Sequence, residues 1–541
     1  MRRGGRIPKA FACAAMAVLL LIPFAARTAL GEEPVPAPLL PGFGALPPGA
    51  EGLEVGEVNE GADPSFVRQR IYENGHAVDF YLRDPSIFMG SGDAYAKLEG
   101  VTTFRGNNYR DTAAYGYVPE RASKLELSWS VKVGHIDDWS GVGWTGQAAV
   151  VRWPDETRKA MHLNKEKKDK SGLTEVIYAA LDGKIRFLDL EDGEQTRPPI
   201  DIGAPIKGSV AVDPRGYPLL YCGQGIDTVG GREVRIGTRV FSLIDQEMLF
   251  FLNGRDEMRT RNWYASDASP LVDAETDTLL QVGENGLMYL VRLNSEFDPA
   301  KGRMSINPKV DRYAYKFKSA AKLGIENSLA VYNHYGYFAD NVGVLQCVDL
   351  NTLSCVWAVK TGDDTDATIA LEETEDGVAL YTGNELDHVK DGCCTLRRLD
   401  ALTGRVVWSR DVKVQDKHNA GLFGSPAIGK GRLKDMVYFS VAKTEDGGTL
   451  FALDKATGKT VWAYDLGAYG WSSPVLAYDK TGRGYVIVGN SKGVLRLLDA
   501  AKGKSLDALN LTQNIEGSPV VFEDMLVVGT RGGCIVGVRI K

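Results

Sequence analysis

The stretch GTLFALDKATGKTVWAYD, Gly448 to Asp465, reads as a strand, a tight turn and a second strand, and the chain repeats it. Leu399-Asp400, Thr403-Gly404 and Trp408 match Leu453-Asp454, Thr457-Gly458 and Trp462 at an offset of 54 residues. Val348-Asp349, Thr352 and Trp357 keep the same internal frame. Fainter copies put anchors at Asp189, Asp245, Asn294, Asp499 and Arg539, so eight anchors follow one another at a mean spacing of 50 residues. Self-similarity at that period restricts the chain to solenoid or propeller architectures.

The text between anchors selects one of them. A segment such as SSPVLA or GSPVVF comes first, then an apolar run such as YVIVGN or MLVVGT, then a glycine-bearing turn and the anchor strand. That makes four short strands per unit. Aspartate at the turn accepts hydrogen bonds from the following N–H groups, glycine takes positive φ, and tryptophan is apolar enough to seal one sheet against the next. Four-stranded units at this period predict a β-propeller. The last unit stops after its third strand, and LELSWSVKVG, Leu125 to Gly134, supplies a fourth with Trp129 at the tryptophan position. Joining the two closes the ring and removes two open sheet edges. The expectation is an all-β fold, an eight-bladed β-propeller over residues 125–541.

The start of the chain reads differently. Arg2, Arg3, Arg6 and Lys9 precede an apolar run of 17 residues, Ala10 to Ala26, which contains Pro23 and leads to Ala29-Leu30-Gly31. This pattern predicts an export signal over 1–31. The protein would then be periplasmic or extracellular, or membrane-anchored and facing outside if the signal stays uncleaved; only that last case brings membrane contact. Proline-rich text makes 32–63 a linker, and 64–124 an N-terminal extension packed on the ring. With a net charge of −7 and no basic field, nucleic acid is not an expected partner. No CxxC or CxxCH motif, P-loop, G-x-S-x-G or Rossmann fingerprint is present.

The unit A-L-D-x-x-T-G-K-x-x-W, Ala452 to Trp462, resembles the tryptophan-docking repeat of the pyrroloquinoline-quinone (PQQ) propeller superfamily, and Asp400, Thr403, Gly404 and Trp408 fit it nearly as well. The lead-in TTFRGNNYRDTAAYG, Thr102 to Gly116, looks like a segment that carries an FRG signature in such proteins. The superfamily includes quinoprotein dehydrogenases and also non-catalytic members, among them the propeller subunit of the bacterial outer-membrane β-barrel assembly machine. The resemblance therefore implies either an exported binding or assembly module, or a PQQ- and calcium-dependent dehydrogenase of alcohols or sugars. The dehydrogenases often join two adjacent cysteines, which invites a comparison with Cys393-Cys394.

Aligning the inner strands on their serine and proline signals gives candidate site residues. Two positions before each signal stand Thr145, Lys207, Asp267, Glu326, Asp366, Phe423, Trp471 and Glu516, which would ring the mouth of the central channel and meet a protein or small-molecule ligand. Carboxylate oxygens suit a hard cation such as calcium, so Asp267, Glu326 and Asp366 are candidate metal ligands. Aromatic faces suit stacking or a cation. Asp363-Asp364-Thr365-Asp366 lacks the rest of a calcium loop and reads as a solvated connection between blades. His334 and His388 have no partner at ligand spacing.

Overall fold

The structure is a computed structural model that describes residues 62–144, 146–317, 323–388, 393–415 and 418–541. The expected export signal and most of the expected linker lie outside the described residues. Eight small antiparallel sheets stand in a ring, an eight-bladed β-propeller. Blade 1 is built from Ala149–Arg152, Thr174–Ala179, Lys184–Asp189 and Ile200–Asp201. The frame repeats in blades 2 to 6, over residues 211–253, 271–316, 330–360, 370–412 and 427–465, and in blade 7, Val475–Tyr478, Gly484–Gly489, Val494–Asp499 and Lys504–Asn510. Blade 8 takes Val520–Phe522, Met525–Thr530 and Cys534–Ile540 from the end of the chain and Leu125–Lys132 from its first half. In that closure Cys534 pairs with Lys132, Gly537 with Trp129 and Ile540 with Leu125. No helix among the described residues is long and apolar enough to cross a membrane.

The core is a set of layers between blades. Eight apolar clusters occupy the eight interfaces. Blades 5 and 6, for example, share Tyr381, Leu396, Trp408, Val437 and Phe439. The second strand of a blade buries both faces, which is why Gly484–Gly489 and Met525–Thr530 read as continuous apolar runs.

The repeat motif is explained by these interfaces. The indole Nε1 of Trp408 donates to the Lys455 carbonyl of the next blade at 2.8 Å, one residue past the anchor Asp454. Trp129, Trp357 and Trp462 donate in the same way to Leu190, Ala401 and Ala500 at 2.8, 2.9 and 3.0 Å. The anchor shapes the turn that receives the indole. Asp454 accepts from the Thr457 N–H and hydroxyl, and Asp400 from the N–H groups of Leu402 and Thr403. The turn glycine then lies flat against the ring: at Gly458, φ is +68°, and a Cβ would sit 2.8 Å from Trp408 Cδ2. Gly404 faces Trp357 at 2.7 Å in the same sense. Aspartate, glycine and the preceding blade's tryptophan are one contact written in two repeats.

Residues 64–124 are woven into the ring. Arg68–Glu73 and His76–Val78 extend the outer edge of blade 3, with Arg68 opposite Lys316. Glu99–Val101 pairs with the innermost strand of blade 1, and Ala114–Tyr115 runs parallel to that of blade 8. Between them, Thr102 to Ala113 fills the channel and bonds to every blade. Gln147 of blade 1 accepts from the Arg105 N–H, and the Val212 N–H of blade 2 donates to the Thr102 carbonyl. Arg110 Nη2 donates to the Ser269 carbonyl of blade 3 and its Nε to Leu329 of blade 4, at 2.8 and 2.9 Å. The Leu371 N–H of blade 5 reaches the Tyr109 carbonyl, and that of Val521 in blade 8 reaches Ala113. Arg105 donates to the Pro426 and Pro474 carbonyls of blades 6 and 7 at 3.2 and 2.7 Å. Both guanidiniums are 1% exposed or less. Burial lowers their affinity for protons, to about 10 for Arg105 and about 9 for Arg110.

Candidate functional site

The serine signals at the inner strands form a hydrogen-bonded belt that fixes the register of the channel. The Gln147 N–H donates to Ser209 Oγ, Ser269 to Ser328, Ser328 to Thr368, Thr368 to Ser425, Ser425 to Ser473, and Ser473 to Ser518, at 2.8 to 3.1 Å. Small hydroxyl residues are needed here because neighbouring backbones approach closely: a Cβ on Gly208 would overlap the Asp267 carbonyl at 1.9 Å. Phe104, from the channel segment, lies against this belt. Above it opens a small cavity of ≈30 Å³.

Five of the eight residues expected at the mouth line this cavity: Asp267, Glu326, Asp366, Phe423 and Trp471. Lys207 stands beside them, with Nζ 3.7 Å from Asp267 Oδ2 and 4.4 Å above the Trp144 ring. Glu516 accepts from the Trp144 N–H at 3.3 Å and faces Arg531 at 3.5 Å, so its charge is already matched. Thr145 lies outside the described residues. Phe423 and Trp471 stack at 4.8 Å, and Trp144 meets Trp471 edge-on at 5.8 Å.

Three acidic residues outside the expected ring crowd behind the mouth carboxylates without lining the cavity. Glu284 and Glu385 come from the connections between second and third strands, Glu385 from the short strand Glu385–Leu386, and Asp364 lies two residues before Asp366. Asp363 and Asp364 are 3% and 5% exposed, so the expected solvated connection is in fact buried. Asp363 accepts from the N–H groups of Asp387 and His388 and folds the connection inward. The sequence signal for Glu284 and Glu385 was their place just past a glycine-ending second strand, in VGENG and TGNE, on the same face as the inner-strand starts.

The electrostatics follow from crowding. Burial first, and then Glu326, push Asp366 well above the usual carboxylate range, and burial with Glu326 and Asp267 does the same to Glu284. Burial, opposed by Lys207 and reinforced by Glu326, raises Asp267 to about 6. Burial works against the Lys207 charge, but Asp267, Glu284, Glu326 and Asp366 outweigh it and hold the ammonium above its ordinary range. Asp267 is 7% exposed, and neither of its oxygens accepts a hydrogen bond.

The arrangement discriminates between the groups the resemblance implies. PQQ is a flat tricarboxylate. Here it would meet Asp267, Glu284, Glu326 and Asp366, while the nearest cations, Lys207 and Arg261, already face Asp267 and Glu284. The mouth does not fit it. A hard cation has a set of oxygens: Asp364, Asp366 and Glu385 each offer one, all within 4.8 Å of one another. Oxygens that close together can share one calcium ion, whose ligands stand roughly 2.4 Å from it. Of the expected trio Asp267, Glu326 and Asp366, only Asp366 belongs to this group. His388 and Asp387 converge with Asp364 in a second, more exposed group. Cys393 and Cys394 are free thiols at the start of a blade 5 strand, and neither lines the cavity.

Comparison with known proteins follows the repeats. Residues 316–462 and 394–541 match the family model described as outer membrane protein assembly factor BamB. A curated relative, the outer membrane protein assembly factor BamB of Kangiella koreensis, is 28% identical over 138 residues. That match covers 25% of this chain and spans 30% of the relative's length. Among solved structures, BamB from Moraxella catarrhalis aligns with a TM-score of 0.47 and 16% identity, over 77% of this chain and 98% of that one. Quinohemoprotein alcohol dehydrogenase from Comamonas testosteroni aligns with a TM-score of 0.42 and 13% identity, over 83% and 82% of the two chains.

Proposed function

This chain is a PQQ-like eight-bladed β-propeller, and from that premise we propose that it works as a non-catalytic binding or assembly module, presenting the channel mouth to its partner. The observation that carries this reading is the mouth itself, an acidic and aromatic cavity whose charges oppose the superfamily's anionic quinone. The described relative is an assembly factor by name, which supports a protein partner in an assembly complex. The leader-like start of the sequence supports export to the cell envelope. Calcium held by Asp364, Asp366 and Glu385 would serve as a structural ion that relieves carboxylate repulsion, and no reaction is required of it.

Two experiments test the reading. Purified protein is incubated with PQQ and calcium and assayed with alcohols and aldose sugars against a dye acceptor. No dye reduction above the protein-free control is expected, and reproducible PQQ-dependent reduction would overturn the module reading. Cell fractionation should recover the chain in the envelope or medium; recovery in the cytosol alone would overturn the location.

A further inference from the structure

The mouth has a division of labour that a metal ion does not need. Asp267, Glu326 and Asp366, from consecutive blades 3 to 5, form one wall, while Phe423 and Trp471 from blades 6 and 7 form the other with Trp144. A hydrated hard cation draws on the oxygens and gains little from the rings. An organic cation uses both, because its charge attracts carboxylates and π faces while its methylenes pack on apolar surface. The site already contains one example: the Lys207 ammonium lies over Trp144 and beside Asp267. That leaves Glu326 and Asp366 facing the cavity without a cation of their own among the described residues, and an Asp366 oxygen without a hydrogen-bond partner. The two oxygens of buried Asp267, which lines the same space, also accept no hydrogen bond, and only Lys207 at 3.7 Å faces one of them among the described residues. The channel segment, bonded to every blade and contributing Phe104 to the lining, occupies the ring's centre, so a ligand enters end-on.

We propose that the channel mouth binds a primary alkylammonium group end-on, with Glu326 and Asp366 taking the charge and Phe423 and Trp471 flanking the methylene stem. This rests on the binding-module reading and deepens it: the group is the lysine side chain of a partner, or the same chemistry on a free diamine.

The test is calorimetric titration of the intact propeller with acetyl-Gly-Lys-Gly-amide, its norleucine analogue, 1,5-diaminopentane and calcium chloride. The lysine peptide should bind and the norleucine peptide should not. Binding of the peptide alone assigns the ligand to a partner's side chain, and binding of the diamine as well extends it to free amines; both support the proposal. Asp366→Asn should weaken binding about tenfold, the loss of one close charge pair. Trp471→Leu should weaken it roughly threefold or more, and Trp471→Phe, which keeps a π face, should retain most of it. Melting curves of each variant show whether the ring is intact, and the Trp471→Phe variant keeps the test open if Trp471→Leu unfolds. Absence of heat with both amines, equal binding of the norleucine peptide, or binding indifferent to Trp471→Leu would overturn the proposal. The dye assay on the same preparation separates the two readings, since failed amine binding without dye reduction removes this inference alone.

Discussion

The tryptophan–glycine contact between blades can be tested by a double-mutant cycle at Gly458 and Trp408. Gly458→Ala introduces two costs. The backbone sits at φ +68°, where a β-carbon costs about 1 kcal/mol. The new carbon also meets Trp408 Cδ2 at 2.8 Å and Cε3 at 2.9 Å, well inside van der Waals contact. Overpacking of this kind costs about 1–3 kcal/mol more, because Trp408 is 1% exposed and cannot swing away. The single variant should therefore lose about 2–4 kcal/mol. Trp408→Ala alone should lose about 3–5 kcal/mol through the cavity and the unmade bond to Lys455. With the indole gone, the alanine at 458 clashes with nothing, and only the backbone cost of about 1 kcal/mol remains. The double variant should then be more stable than the sum of the singles by about 1–3 kcal/mol. Urea unfolding followed by fluorescence and by circular dichroism measures this, provided both probes give one transition with a shared slope. Strict additivity would show that the glycine is present for its backbone alone and that the indole does not shape the repeat.

Three further outcomes follow from the same geometry. Trp129→Ala in the closing strand should cost about 3–5 kcal/mol in thermal or urea melts, as much as an interior blade tryptophan, because its indole also docks on the next blade at 2.8 Å; a negligible loss would mean that Leu125–Lys132 is not the latch. Arg110→Met should cost at least about 3 kcal/mol, since it strips donors from the carbonyls of Phe104, Ser269 and Leu329; a melt like the parent's would deny the channel segment its structural part. Asp267 titrates near 6 when folded and near 3.8 otherwise, so the folded form holds its proton longer, stability falls as pH rises through that window, and the full penalty of about 3 kcal/mol is present above it. Asp267→Asn should therefore melt higher than the parent at pH 8 and lose most of that advantage near pH 4.5, and a variant less stable at pH 8 would contradict the sign.

The blades were legible because each carries its own copy of a local rule. Asp400, Gly404 and Trp408 announce a turn and an interface in any frame, and the missing fourth strand pointed to Trp129. The channel segment was not legible in the same way. Arg105 and Arg110 are charged residues in an aperiodic stretch, and the blade carbonyls that satisfy them come from more than 150 residues away. At the mouth, counting back from the inner strands located Asp267, Glu326, Asp366, Phe423 and Trp471, since one register places equivalent residues on one rim. Glu284 and Glu385 escaped because they come in behind that rim from a different connection. Asp364 looked like solvated surface because charge in a short connection is usually hydrated, and nothing local shows that Asp363 will pull the connection inward by capping the N–H groups of Asp387 and His388.

The channel segment also bears on how the ring comes into being. Its two guanidiniums draw their carbonyl acceptors from blades 3, 4, 6 and 7, and the latch strand waits for Cys534–Ile540. A ribosome therefore releases the hub first and its last partners hundreds of residues later. Until blade 7 exists, a nascent ring has buried charge without its full complement of acceptors, a deficit of several kcal/mol. Incomplete chains are thus held away from compact near-native forms, and the same segment resists gain or loss of a whole blade by duplication or deletion, since any seven- or nine-bladed ring would leave the hub out of step with its rim.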